Sequence, residues 1–217
     1  MPASFTVTEL LARIESARKT PTLYLLGRGG FLGDEPGPHP MPGKMVVPSQ
    51  ELQQMKTDNR KKYDDYVAAA QSAHIDLSTL PPRMPACDCS GFVTWVLDLA
   101  RAPSAAGPWI NTDSIFADAT GAAARFKRHD SNATPLSTRV GAMLVFPKDS
   151  THEVGHIGFV TQVDAAGRPT CVVHCAPQNF LVPPAPGTAR TAILETAPDV
   201  FFQVPQTIAV WSNAVAP

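Results

Sequence analysis

The sequence predicts an α+β fold, because helical patterns occupy the first half of the chain and strand patterns occupy the second. Up to about residue 100, apolar residues recur at the three- and four-residue spacing of helices. From residue 140 onward, short β-branched runs are bounded by Gly, Pro and Asp, which is typical of a mostly antiparallel sheet. Helices followed by strands are the order found in the α+β class.

Length and composition exclude several function classes. The chain has 217 residues, of which 44% are hydrophobic and 17% are charged, so it can form a buried core. Its net charge of −1 argues against nucleic-acid binding, which needs a strong positive field. No window offers the roughly 18 apolar residues of a membrane span. We expect one domain over residues 1–217, with a helical and Pro/Gly-rich insertion at about 34–80.

Two helices and a loop are predicted before the centre of the chain. Thr6 and Glu9 fit a capping box that begins a helix over residues 6–18. Prolines exclude a helix over 34–48, which we predict to be a surface loop. A single long helix is predicted from residue 49 to about residue 73, with Ser49 as its N-cap.

A third helix is apolar on nearly every side, so we expect it to be central and buried. It begins at Ser90, after the proline-rich break PPRMP at 81–85. A turn over Asp164–Gly167 separates two of the strands that follow. The predicted strands are 140–147, 156–164, 170–176, 191–196 and 207–212.

Cys89 is the first candidate catalytic residue. It lies directly before the buried helix, where unpaired N–H groups and the helix dipole lower the pKa of a thiol and favour the thiolate. The same N–H groups can bind the oxyanion of a tetrahedral intermediate. A lone cysteine in this position is more often a small packed residue, so its partners decide between the two interpretations.

Two histidines can supply the imidazole that a cysteine nucleophile requires. His156 opens one predicted strand, and His174 lies in the next. Because side chains alternate along a strand, neighbouring strands can present one histidine each on the same face. His174 then points away from Cys171, Val173 and Cys175, which leaves these three residues for the core.

With these residues the chain resembles the NlpC-type papain-like cell-wall cysteine peptidases. DCSGFV (88–93) is similar to the nucleophile motif of that family. RVGAMLVF (139–146), GHIGFV (155–160) and VVHCA (172–176) resemble, in order, the strand before the histidine, the histidine strand and the strand of the third catalytic residue. TLYLLGRGG (22–30) is similar to the Tyr-x-x-Gly-Gly segment of the family. The resemblance implies a papain-like fold, in which a central helix bearing the nucleophile packs on the sheet.

The resemblance also implies a role for each matching residue. Cys89 would be the nucleophile, His156 the general base and acid, and His174 the residue that orients His156. The reaction would be amide-bond hydrolysis through a thioester, and it would need no metal or cofactor. Asn179 stays open as an alternative orienting residue. The residues expected to line the substrate site are Tyr24, Asp88 and Ser90.

By the same resemblance, the substrate would be a peptide of bacterial peptidoglycan, cut next to D-glutamate or diaminopimelate. The first twenty residues show no basic segment followed by an apolar one, so we expect no secretory signal. A protein made in the bacterial cytoplasm would then reach a periplasm or cell wall by a signal-independent route. We expect an antibacterial effector toxin with an immunity protein as its partner, and a recycling enzyme or a phage lysin stays open.

Three other functions are compatible with the residues. HEVGH (152–156) satisfies the H-E-x-x-H motif of zinc peptidases, although that chemistry needs a helix and this segment has the pattern of a loop and a strand. CDC (87–89) and CVVHC (171–175) offer zinc ligands to a non-enzymatic wall-binding or interaction module, and a disulfide between the two segments stays open. The third is a papain-like hydrolase of a small amide or a protein.

Overall fold

A computed structural model of the chain describes residues 5–121, 125–130 and 136–216. The α+β class is confirmed, with most helices in the first half and a large antiparallel sheet in the second. The helices are α1 (Val7–Arg18), α2 (Pro48–Asp58), α3 (Arg60–Ser72), α4 (Cys89–Val96), α5 (Thr112–Thr120), α6 (Pro177–Phe180) and α7 (Asp199–Phe202), with a 3-10 turn at Leu77–Thr79. The strands are β1 (Leu23–Tyr24), β2 (Lys44–Val46), β3 (Met84–Cys87), β4 (Phe126–Arg128), β5 (Met143–Phe146), β6 (His156–Val163), β7 (Pro169–Cys175), β8 (Ile193–Thr196) and β9 (Ile208–Ser212).

The strands form two sheets. The larger sheet has six antiparallel strands in the order β4-β9-β5-β6-β7-β8, so the five strands predicted from the second half of the sequence lie side by side. The smaller sheet has the order β1-β3-β2, in which β1 is parallel and β2 antiparallel to β3. Strand β3 leads directly into α4, so the small sheet fixes the point at which this helix begins.

Helix α4 is the central element of the fold. All eight of its residues are buried, as its apolar sequence predicts. It packs on β6 and β7, and Phe92 of the helix meets Phe159 of β6 edge to face with ring centroids 5.8 Å apart. The papain-like arrangement of a buried helix on an antiparallel sheet is therefore confirmed.

Helix α1 begins as its sequence predicts. The Thr6 hydroxyl oxygen accepts a hydrogen bond from the Glu9 N–H at 3.2 Å, and the Glu9 carboxylate accepts one from the Thr6 N–H at 2.7 Å. Farther along the helix, the Arg13 guanidinium donates to the carbonyl oxygen of Trp95 at 2.6 Å. This bond fastens α1 to the C-terminal end of α4.

The long helix predicted after residue 49 is wrong in two respects. It is divided into α2 and α3 at Asn59, whose φ of −149° and ψ of 85° leave the helical region. The Asn59 side chain accepts the Lys62 N–H at 3.0 Å and so caps α3, a role that asparagine fills better than it continues a helix. Helix α2 begins at Pro48 with Val47 as its N-cap, so Ser49 lies inside the helix.

Four short strands, β1 to β4, were not predicted. Strand β2 lies within the segment 34–48, which we predicted to be a loop, and β3 contains Pro85, which we predicted to break the chain. Pro85 is paired with Met45 between the two strands. Strands of three or four residues are too short to show a period, so the prolines dominated the sequence pattern.

Candidate active site

Cys89 is the first residue of α4, which begins one position before the predicted start at Ser90. Asp88 is the N-cap, and its carboxylate accepts the Gly91 N–H at 2.7 Å and the Ser90 hydroxyl at 2.9 Å. This cap satisfies one of the free N–H groups of the first turn and holds the chain in the geometry that starts the helix. Only 4% of Cys89 is exposed, and that surface faces a cavity.

The Cys89 thiol is neutral at rest, which corrects the thiolate expected from its place at the helix terminus. Burial raises the pKa of the Cys89 thiol to about 12, and the negative charge of Asp88 raises it further. The backbone N–H groups of Ile157 and Ser90 contact the sulfur and act in the opposite direction. The Ile157 contact also places the sulfur beside the start of β6, next to His156.

His156 and His174 meet on one face of the large sheet, as predicted. Gly158 of β6 pairs with His174 of β7, and His156 lies two residues before Gly158, so all three positions share a face. The Nε2 atom of His156 is 2.6 Å from the Nδ1 atom of His174. The absence of a side chain at Gly158 provides the room, because a Cβ atom there would lie 2.8 Å from the Cβ of His174.

A threonine continues this hydrogen-bonded chain and fixes the tautomers. The Nε2 of His174 is 3.0 Å from the Thr196 hydroxyl oxygen, and that hydroxyl donates to the carbonyl oxygen of Ala197 at 2.9 Å. With the hydroxyl proton directed to Ala197, the Thr196 oxygen accepts the proton of His174 Nε2, and His174 Nδ1 accepts the proton on His156 Nε2. The Nδ1 atom of His156 is then unprotonated and available as a base.

The two imidazoles are held in their neutral form by an aromatic environment. Phe201 stacks on His156 with ring centroids 5.3 Å apart, and Phe146 lies 6.1 Å from the same ring. Burial lowers the pKa of His156 to about 3, and the neighbouring His174 lowers it further. Burial lowers the pKa of His174 to about 4. Both rings are uncharged at neutral pH.

Two adjoining cavities open onto these residues. Cys89 lines the first, the cysteine cavity, which has a volume of about 500 Å³. His156 and His174 line the second, the histidine cavity, with a volume of about 1040 Å³. Leu26 and residues 153–155 line both. Within the described part of the chain, no hydrogen bond joins the Cys89 sulfur to the His156 ring. The two residues line adjoining cavities that share a wall.

A buried ion pair between Arg101 and Asp88 stabilises the start of α4. The Arg101 guanidinium donates to the Asp88 carboxylate at 2.6 Å and to the Ser90 hydroxyl at 2.8 Å. It also donates to the carbonyl oxygen of Arg28 at 2.7 Å, in the glycine-rich segment, while the Gly27 N–H donates to Asp88 at 2.8 Å. The Asp88 carboxylate is thus engaged within the protein. That Asp88 and Ser90 also contact a substrate stays a prediction.

Tyr24 lies where the sequence places it, at the edge of the candidate site. It pairs with Cys87 across β1 and β3 and lines the histidine cavity together with His156 and His174. Burial raises the pKa of its hydroxyl, and the adjacent Cys89 acts in the same direction. Tyr24 is therefore a neutral side chain on the cavity wall, and its contact with substrate stays a prediction.

The segment after the glycine-rich turn forms part of the site. Helix α3 contributes one wall of the histidine cavity, on which two lysines and two polar or acidic side chains lie. Lys61 forms an ion pair with Asp65 at 2.6 Å, and the charge of Glu153 on the shared wall also acts on it. The residues that line the cavity here are the N-cap Asn59 and, in α3, Lys61, Lys62 and Asp65.

The zinc-peptidase interpretation of HEVGH is wrong, because this segment is not a helix. Residues 151–155 form bends and a loop, and β6 begins at His156. The His152 ring contacts Asp149 at 3.0 Å and Thr151 at 2.8 Å, whereas the His156 ring contacts His174. Over the described ranges, no group of three His, Cys, Asp or Glu residues is arranged to hold a metal ion.

Asn179 does not take the orienting position. Its side-chain amide donates to the carbonyl oxygens of His174 at 3.0 Å and Ala192 at 3.1 Å. It therefore ties the end of β7 to the chain leading into β8. His174 occupies the place beside His156, and Asn179 supports the backbone of His174 from the next turn.

Residues 81–179 match the family model of the CHAP domain. This match covers a little under half of the chain. CHAP domains are papain-like cysteine peptidase or amidase domains found in cell-wall hydrolases related to the NlpC-type enzymes, so the resemblance seen in the sequence is confirmed. The CHAP match supports a hydrolase, either an amidase or a peptidase, that acts on peptidoglycan.

No curated protein and no solved structure matches the chain. None of the helices in the described residues has the length and apolar character that crossing a membrane requires. The CHAP match includes Cys89, His156 and His174, whereas Tyr24, Thr196 and Phe201 lie outside residues 81–179.

Proposed function

We propose that this protein hydrolyses an amide bond in peptidoglycan stem peptides, with Cys89 as the nucleophile. The observation that carries the proposal is the hydrogen-bonded chain from His156 through His174 to Thr196. This chain leaves Nδ1 of His156 unprotonated. His156 is at the start of β6, where the backbone N–H of the next residue, Ile157, contacts the Cys89 sulfur. A thiol beside an oriented imidazole is the arrangement of a cysteine hydrolase.

The first step begins from a neutral thiol and a neutral imidazole. When a substrate carbonyl approaches, His156 Nδ1 takes the Cys89 proton and the sulfur attacks the carbonyl carbon. The imidazolium that forms keeps its Nε2 proton on His174. The backbone N–H of Cys89, in the first turn of α4, would stabilise the oxyanion, because the Gly91 N–H already donates to Asp88.

The second half of the reaction returns the enzyme to its resting state. The His156 imidazolium gives its proton to the leaving amine, the carbon–nitrogen bond breaks, and the acyl group stays on Cys89 as a thioester. His156 then takes a proton from water, whose oxygen attacks the thioester and releases the carboxylic acid. The proton returns to the sulfur, so the net reaction consumes one water.

The charges on the cavity walls suit a stem peptide, which carries free carboxylates. Lys62 lines the histidine cavity and Lys148 lines the cysteine cavity, whereas the charges of Lys61 and Arg101 on the same walls are paired with Asp65 and Asp88. Because the cavities adjoin at the shared wall, an extended peptide can cross from one to the other past Cys89. A cut next to D-glutamate or diaminopimelate would place a substrate carboxylate near one of these groups.

The experiment that tests the proposal is mass spectrometry of fragments released from purified peptidoglycan. Wild type and Cys171→Ala should release the same fragments, because Cys171 lines neither cavity. Cys89→Ala and His156→Ala should release none. His152→Ala should stay active, since its ring contacts Asp149, Thr151 and Phe146 and lines neither cavity. Cutting by Cys89→Ala would overturn the proposal.

We further propose that the protein acts as an antibacterial effector on a bacterial periplasm or cell wall. The support is peptidoglycan, the substrate on which the matching family acts. An immunity protein would then cover the two open cavities. Expression in a bacterial periplasm should lyse cells with wild type and not with Cys89→Ala; equal growth of both would contradict the effector role.

A further inference from the structure

Two buried cysteines outside the proposed chemistry face each other beneath the candidate site. Cys87 ends β3, and Cys175 ends β7 in the other sheet. Their sulfur atoms are 3.5 Å apart, and neither residue is exposed. Cys87 is two residues before Cys89, and Cys175 directly follows His174. The pair therefore joins the strand that delivers the nucleophile to the strand that carries the orienting histidine.

We propose that Cys87 and Cys175 form a disulfide when the chain folds in an oxidising compartment. A disulfide bond is about 2.05 Å long, so the sulfurs need to approach by about 1.5 Å, which side-chain rotation can supply. Because the pair is enclosed by core residues, the bond would form as the chain folds and would then be shielded from reductants.

The other two cysteines are placed differently, so the pairing is specific. Cys171 lies four residues before Cys175 on the same strand, a separation of about 13 Å. Cys89 points into the cysteine cavity, and its sulfur contacts the backbone N–H of Ile157. Cys87 is the cysteine whose sulfur lies within hydrogen-bonding distance of Cys175.

The chemistry needs an external disulfide as the oxidant, for which oxidised glutathione serves. The thiolate of one cysteine attacks the glutathione disulfide, forms a mixed disulfide and releases one glutathione thiolate. The second cysteine thiolate attacks the protein sulfur of the mixed disulfide and releases the second glutathione. One S–S bond forms and one breaks, the two cysteines lose two electrons, and oxidised glutathione gains them.

The bond would stabilise the fold and fix the position of β3, which precedes Cys89, relative to β7, which carries His174. Cys87 and Cys175 are 88 positions apart in the chain, so the cross-link closes a long loop and restricts the unfolded chain strongly. This effect does not depend on the proposed catalytic function. A disulfide involving Cys89 would instead remove the nucleophile, so activity and pairing can be read separately.

The test compares protein refolded with oxidised glutathione and protein refolded with reduced glutathione. Free thiols are alkylated under denaturing conditions, and the linked peptides are mapped by mass spectrometry. The variants are Cys87→Ala and Cys175→Ala, which keep the Cβ atom against which Gly29 packs at position 87. Cys171→Ala is the matched control, since it also removes one thiol from β7.

The expected result is a single linked peptide pair containing Cys87 and Cys175. Oxidised wild type and oxidised Cys171→Ala should unfold about 5–10 °C above their reduced forms. Neither Cys87→Ala nor Cys175→Ala should show this difference. Four free thiols after oxidative refolding, a link through Cys89 or Cys171, or equal midpoints for the oxidised and reduced wild type would each overturn the proposal.

Discussion

The Nε2 atom of His156 lies 2.6 Å from the Nδ1 atom of His174, and both rings are neutral. The orienting partner of the candidate base is therefore an uncharged imidazole rather than a carboxylate. It fixes the tautomer of His156 through an accepted hydrogen bond but gives the imidazolium no opposite charge. The predictions below follow from this neutral pair and from the residues that hold it.

The decrease of kcat/KM on the acid side of the pH profile, the acid limb, should occur at an unusually low pH. The base must be unprotonated, and burial lowers the pKa of His156 to about 3, so kcat/KM should fall only well below pH 6.5. In His174→Asp, a carboxylate beside the ring favours the imidazolium and should move this limb to higher pH. A wild-type limb at or above pH 6.5, or an unchanged limb in His174→Asp, would contradict the neutral pair.

Thr196 should act as a positioning residue. Thr196→Val removes the oxygen that accepts the proton of His174 Nε2, so the tautomers are no longer fixed, and kcat should fall by about 10-fold with little change in KM. Thr196→Ser keeps the oxygen and should retain most of the activity. Steady-state kinetics of both variants distinguish a positioning role from a packing role. Equal losses of kcat in Thr196→Ser and Thr196→Val would indicate a packing role.

Stability should fall as the pH drops below about 6.5. The unfolded histidines bind protons with a pKa near 6.5, whereas the pKa values of folded His156 and His174 are lowered to about 3 and about 4. Between these values the unfolded chain binds more protons, so acid favours unfolding. Urea midpoints at pH 7.5 and pH 5 should differ more in wild type than in the double variant His156→Gln, His174→Gln. An equal pH dependence would show that the histidines titrate normally.

Gly158 should be intolerant of even a methyl group. A Cβ atom there would lie 2.8 Å from the His174 Cβ and 2.9 Å from the Val173 carbonyl oxygen. Gly158→Ala should therefore displace His174 and lower kcat/KM by at least about 10-fold. Circular dichroism should show that the fold persists. Full activity in a folded Gly158→Ala would mean that the position of His174 does not matter.

The sequence predicted Cys89, His156 and His174 because each has a local signal: a helix start and two consecutive strands. It missed Thr196, since a threonine in a strand has no distinguishing pattern. It also missed Arg101, which reaches Asp88 from a loop after α4. Both contacts depend on tertiary packing that brings distant segments together.

The charge state of Cys89 was mispredicted for a related reason. A helix N-terminus is visible in the sequence and lowers the pKa of a thiol, whereas burial and the capping carboxylate of Asp88 raise it and are stronger here. The break between α2 and α3 at Asn59 was missed because the flanking residues favour helix on both sides. Local propensity predicted the elements, and the surrounding protein determined their ends and their chemistry.

The most direct test of the central claim is to trap the acyl-enzyme. Wild type is mixed with soluble stem peptide, quenched rapidly in acid, digested and analysed by mass spectrometry. We expect the acyl fragment of the peptide on Cys89, absent from Cys89→Ala and present in Cys171→Ala. Product formation by Cys89→Ala, or an acyl group on another residue, would contradict it.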